Sequence, residues 1–154
     1  MPTPEARLHT LGLTLPPPGL PLGTYVPHRR AGTLLFLSGV GPRLADGSFI
    51  TGQVGAELSV AQAIDAARHC GLNLLANIRA ATGSLDQVDT VLKVFGMVNA
   101  IPGFGDQPKV IDGCTDLFVA IFGDAGRPAR SAVGMSGLPI NIPVEIEAIV
   151  LLRG

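Results

Sequence analysis

The sequence predicts an α+β fold, a single mixed sheet with two helices packed on one face. Two stretches carry apolar residues at helical spacing, and the segments around them are short apolar runs or are rich in β-branched residues. The resulting order is strands, helix, strand, helix, strands, which suits one sheet with helices on one side better than alternating strand–helix units. A chain of 154 residues fits one domain and buries roughly two-thirds of its unfolded surface.

Residues 1–23 hold six prolines and read as an irregular lead-in over the surface that contributes little chemistry, so the domain proper is expected at residues 24–154. His28-Arg29-Arg30 reads as a solvated turn before a strand. The run "GTLLFLSG", bounded by Gly32 and Gly39, reads as a strand buried on both faces. Asp46-Gly47 is a hairpin signal. Ser59 and Gln62 form a capping box, and Val60, Ala63, Ile64, Ala67, Gly71, Leu74, Leu75 and Ile78 make one helical stripe that Gly83 stops. "DQVDTVLKVFGMVNA" then reads as a long strand from Val88 to Asn99. A second helix is expected from Val110, Ile111, Cys114, Leu117, Phe118, Ile121 and Phe122, with Pro108 in its first turn and Gly123 at its end. Gly113 is a weak point inside it. Two more strands follow, from Ala129 to Met135 and from Val144 to Leu152.

Only 15% of the residues are charged and 47% are hydrophobic, against a usual charged fraction of about 25%. Self-association is therefore expected, with apolar faces covered by other copies. No run of about 18 apolar residues is unbroken, so no membrane span is expected. The first residues lack a basic start followed by an apolar core, and a cytoplasmic location is the expectation. Net charge is −1, aromatic content is 5% and Trp is absent, which gives nucleic acid neither a basic footprint nor stacking platforms.

Cys70 and Cys114 fall on apolar helix faces, where a free thiol behaves as a small hydrophobe. His9, His28 and His69 are not spaced with other ligands as a metal site requires. No cofactor is expected either, because Gly39-Val40-Gly41 is followed by Pro42 and does not complete a phosphate-binding glycine fingerprint. Ser38 and Ser136 lie beside glycines, but in no complete G-x-S-x-G elbow.

The informative stretch is "GRPARSAVGMSGLPINIPVEIEAIVLL", residues 126–152. Strand alternation puts Arg130, Ala132 and Gly134 on one face and Ser131, Val133 and Met135 on the other. A guanidinium over small residues offers a planar fork that matches a carboxylate. The alternative is an internal ion pair with Glu145 or Glu147. Those two glutamates share a face, opposite Val144, Ile146, Ala148 and Val150. Whichever is desolvated has a raised pKa and can activate a water as a general base, and the residues alone leave open which one it is.

"PARSAVGMSGLPINIPVEIEAIV", with "GTYVPHRRAGTLLFLSGVGP" about a hundred residues earlier, resembles the reactive-intermediate deaminase family, also called RidA/YjgF. The likeness covers residues 20–153 and implies a trimer of chorismate-mutase-like fold with sites across subunit boundaries. It implies hydrolysis of 2-imino acids or enamines to 2-oxo acids and ammonia, with Arg130 binding the substrate carboxylate and Glu145 positioning the water. Tyr25, Ser38 and Gly39 complete the implied pocket. Many members have Cys where this chain has Ala132, so no thiol acts there, while a main-chain contact at Ala132 stays available. "AIPGFGDQPKVIDGCTDLF" is longer than the family's usual pattern and resembles a divergent branch often labelled endoribonuclease L-PSP. The alternatives are a non-catalytic trimer that binds small carboxylates or regulates a partner, and a ribonuclease. The sequence gives ribonuclease chemistry no histidine pair and no basic stripe.

Overall fold

The computed structural model describes residues 1–154. The strands are β1 (His28–Ala31), β2 (Leu34–Val40), β3 (Val88–Asn99), β4 (Ala129–Met135) and β5 (Val144–Leu152), ordered β1-β2-β5-β3-β4 in one sheet. Only the β3–β4 pair is parallel, so the sheet is mixed as expected. The helices are α1 (Pro4–Thr10), α2 (Val60–Thr82) and α3 (Gln107–Phe122). None is long and apolar enough to cross a membrane.

Local chemistry sets the ends of α2. The Ser59 hydroxyl accepts from the Gln62 amide at 3.1 Å, and the Gln62 side chain accepts from the Ser59 amide at 2.8 Å, which satisfies two backbone donors at the helix start. At the other end Gly83 takes φ +85°, a conformation that other residues adopt at a cost, and its N–H closes on the Arg79 carbonyl.

The core lies between the sheet and α2 with α3. Leu35 and Leu37 of β2, Val91, Val94 and Val98 of β3, and Val144, Ile146, Ala148 and Val150 of β5 point into it. Leu74, Leu75 and Ile78 of α2 and Ile111, Leu117, Phe118 and Ile121 of α3 meet them. Gly113 is no weak point: a Cβ there would collide with the Ile64 carbonyl and crowd Ala67. The missing side chain lets the backbones of α2 and α3 approach closely.

Because both helices cover one face, the other face stays open. This corrects the expectation for β2, which is buried on one side only: Phe36 is 42% exposed between buried Leu35 and Leu37. The basic cluster also differs from expectation, since His28, Arg29 and Arg30 form β1 itself, a short edge strand rather than a turn. Charged side chains suit an edge that must not pair with a stranger.

The N-terminal lead-in is not wholly irregular. Thr3 caps α1 by accepting from the Ala6 amide. Glu5 then locks α1 to the body, its carboxylate accepting from the Arg79 guanidinium and, at 2.8 Å, from the Leu85 amide. Burial alone would raise the Glu5 pKa, but these bonds outweigh it and hold the group below the usual carboxylate value. The proline count hid a short helix whose stability comes from this docking.

Candidate functional site

The end of β2, the start of β5 and the proline-rich segment from Pro18 to Leu22 enclose a groove of about 920 Å³. Tyr25, Ser38, Gly39 and Glu145, read as site residues from the sequence, all line it. The ladder slips between Leu37 and Val40, a bulge that redirects Ser38 and Gly39 at the groove. Ser38 donates its hydroxyl to the Val26 carbonyl at 2.6 Å. The Tyr25 hydroxyl accepts from the Leu22 amide at 3.3 Å, a local bond that folds the end of the proline-rich segment onto Tyr25.

Glu145 is the carboxylate of this groove that stands apart electrostatically. It is half-buried, and burial first, then the like charge of Glu147, raises its pKa above the usual carboxylate value. Glu147, two residues along the same face, is exposed. Gly39 makes the room: a Cβ there would lie 3.0 Å from Glu145 Oε2. A carboxylate so placed can take a proton from a water at a pH where an ordinary glutamate is a weaker base.

Arg130 lies elsewhere. It pairs across the ladder with Val94 and faces α3, where its Nη1 donates to Asp112 Oδ1 at 2.6 Å and to Thr115 Oγ1 at 3.1 Å. The ion pair considered with Glu145 or Glu147 does not form, because those residues project from the opposite face of the sheet. The alternation itself holds, for Gly134 meets Gln107 of α3 while Ser131 reaches Lys93 on the open face. Ala132, beside Gly96, shares the face of Arg130. Within one chain, then, four of the six predicted residues come together and Arg130 and Ala132 do not. β4 is an edge strand, and the Arg130 side chain is 22% exposed there.

The structure also places residues in the groove that the sequence reading missed. Arg43 donates to the Pro17 carbonyl and, at 3.2 Å, to Asn73 Oδ1. Asn73 donates in turn to the Arg43 carbonyl at 2.8 Å. Asn73 and Asn77 are 4% and 6% exposed. They stand four apart in α2, and two poor helix formers on the otherwise apolar buried face of that helix were the available signal. Ile140 lines the rim with φ +50°, a strained value for a β-branched residue, and Asn141 follows at +59°.

The chain matches, over residues 5–149, the family model described as "YjgF/chorismate_mutase-like, putative endoribonuclease". It is 40% identical over 149 residues to protein TCP17 of Trypanosoma cruzi, covering 96% of this chain and 93% of that one. It is 30% identical over 134 residues to a 2-iminobutanoate/2-iminopropanoate deaminase of Dermatophagoides farinae, covering 86% and 89%. A crystal structure of an Agrobacterium tumefaciens protein of unknown function superposes with a TM-score of 0.89 at 42% identity, over 98% of this chain and 94% of that one. The chain therefore belongs to the YjgF/chorismate-mutase-like family, as the two sequence blocks implied, and it has that family's fold.

Proposed function

We propose that this protein hydrolyses 2-imino acids and their enamine tautomers to 2-oxo acids and ammonia. The observation that carries the reading is Glu145, half-buried, held above the usual carboxylate pKa and given space by Gly39 in a groove large enough for a small metabolite. Glu145 takes a proton from water as the water oxygen bonds to the carbon of the protonated imine. It returns that proton to the nitrogen of the carbinolamine and takes the hydroxyl proton as the C–N bond breaks, so ammonia leaves and the 2-oxo acid remains. No cofactor enters this balance. The likeness to an imine deaminase supports the reaction class.

In this reading the substrate carboxylate is clamped by Arg130 from a second copy of the chain. Arg130 sits on the β4 edge, and the groove lies toward the β1–β2 side of the sheet. A head-to-tail ring brings one edge against the other and closes as a trimer. The open face, with Phe36 and Val133 at 42% and 37% exposure, is then covered by other copies. Fixing the carboxylate makes attack effectively intramolecular.

The test is release of 2-oxo acid from imines generated in place by an amino-acid oxidase, with semicarbazide as a competing trap. Wild type is expected to outcompete the trap, and Glu145→Gln and Arg130→Ala are not. Wild-type failure across several side chains overturns the reading.

One observation favours a second reading, a non-catalytic trimer that binds small carboxylates. Arg130 already has an anionic partner in Asp112, so a bound carboxylate would share the guanidinium rather than neutralise it. A binding-only protein keeps its carboxylate affinity in Glu145→Gln and accelerates no imine.

A further inference from the structure

The groove has a second polar end. Its lining includes residues 38–41 and 43, with Ser38, Gly39 and Glu145 at the end of β2 and start of β5, and Arg43 with Asn73 and Asn77 of α2 where the following loop meets the helix. Arg43 is half-buried, and the only hydrogen bonds its guanidinium makes, to Pro17 and Asn73, leave from a single nitrogen, Nη2. Nη1 therefore keeps free donors, while Nε sits against Gly19, where a Cβ would come within 3.1 Å of it. Asn73 is fully occupied in holding that arginine and the helix beside it.

Asn77 is different. It is 6% exposed, lines the same groove, and its amide has no hydrogen-bond partner, although no side-chain N or O of the protein is both fully enclosed and unsatisfied. Its amide therefore meets the groove itself. The Asn77 NH2 and the free Nη1 of Arg43 both line this groove and are unpaired donors, which is what an anion takes.

Resting on the deaminase reading, we infer that Arg43 and Asn77 recognise a carboxylate at the far end of the substrate's side chain, so that the preferred substrates are 2-imino acids with an acidic side chain. Arg43 is a specificity residue in this scheme and takes no part in proton transfer. Glu145 acts at the imine carbon, while Arg43 and the Asn77 amide bind the distal carboxylate. An apolar side chain reaching the same end would leave the guanidinium and the amide without partners, which a site built to hydrogen-bond penalises strongly.

The experiment compares imines generated from aspartate, glutamate and 2-aminoadipate with those from neutral amino acids of matched length, in the semicarbazide assay. Wild type should favour at least one acidic member over its neutral match by about tenfold or more in kcat/KM. Asn77→Asp, nearly isosteric, leaves the Arg43 bonds in place and puts a negative charge where the distal carboxylate binds. It should abolish the acidic preference, with kcat/KM for acidic imines falling by about tenfold or more relative to their neutral matches. Arg43→Met should do the same, with any loosening of the proline-rich segment read from equal losses on all substrates. If wild type turns over neutral imines and shows no acidic preference, or if Asn77→Asp lowers all substrates alike, the inference fails and the deaminase reading stands. If wild type turns over no imine at all, both fall.

Discussion

Glu145 and Arg130 stand on opposite faces of one sheet: Glu145 is registered with Met97 on the open side, and Arg130 with buried Val94 on the side covered by α3. The register of β3 is uninterrupted between those two positions, so no side-chain movement brings the two groups together within a chain. A reaction that needs a carboxylate clamp and a base must then draw them from different copies.

The pH dependence of activity follows from the pair on β5. The Glu145 pKa is raised by burial and then by Glu147. As a base it works only when deprotonated, so kcat/KM is expected to rise with pH through that raised value. Glu147→Gln removes the like charge and shifts this limb to lower pH, with the plateau unchanged. A limb that stays in place shows that Glu145 is not the titrating group.

Stability carries the opposite signature. With the folded pKa of Glu145 above its unfolded value, the native state binds more protons from about 4.5 upward, so its stability falls as pH rises through that window. Glu145→Gln is expected to unfold at a higher temperature than wild type at neutral pH, with the gap closing in acid. Thermal melts across that range check the sign.

Gly39→Ala tests the space around the base. The added Cβ would lie 3.0 Å from Glu145 Oε2 and 3.2 Å from its Cδ. The carboxylate gives way by a few tenths of an ångström, and since a misplacement of about 1 Å costs roughly 100-fold in a positioned reaction, the smaller shift should cost several-fold to about tenfold. Activity should fall several-fold to about tenfold while the melting temperature changes little. Near-normal turnover would show that the Glu145 position is not critical.

Much of this fold is legible in the sequence because its signals are local. The capping box at Ser59 and Gln62, the stripe along α2 and the β-branched run of β3 each state their element without help from the rest of the chain. Alternation likewise separates Glu145 from Ile146 and Arg130 from Ser131. What escaped depends on distant parts of the chain: α1 is fixed by Glu5 reaching Arg79, and β2 has one open face because both helices lie on the other. Arg43 and Asn77 escaped for the same reason, since a loop and a helix thirty residues apart meet only in the folded groove.

Gly113 shows how a local rule can mislead. Glycine is unfavourable inside a helix by propensity alone, yet here Gly113→Ala is expected to destabilise by about 1–3 kcal/mol through overpacking against α2. A fall in Tm of about 2–4 °C per kcal/mol is the expected reading for a chain of this size. An unchanged or higher Tm would mean that α2 and α3 are free to separate.

The measurement that tests the shared site most directly is complementation between Arg130→Ala and Glu145→Gln. Each variant alone should fail to compete with semicarbazide for an imine. Co-expressed, they form mixed assemblies in which an intact Arg130 from one copy meets an intact Glu145 from another, and about one quarter of wild-type activity should return on random mixing in a closed ring. Mixed assemblies that form and remain inactive would contradict a site built from two copies.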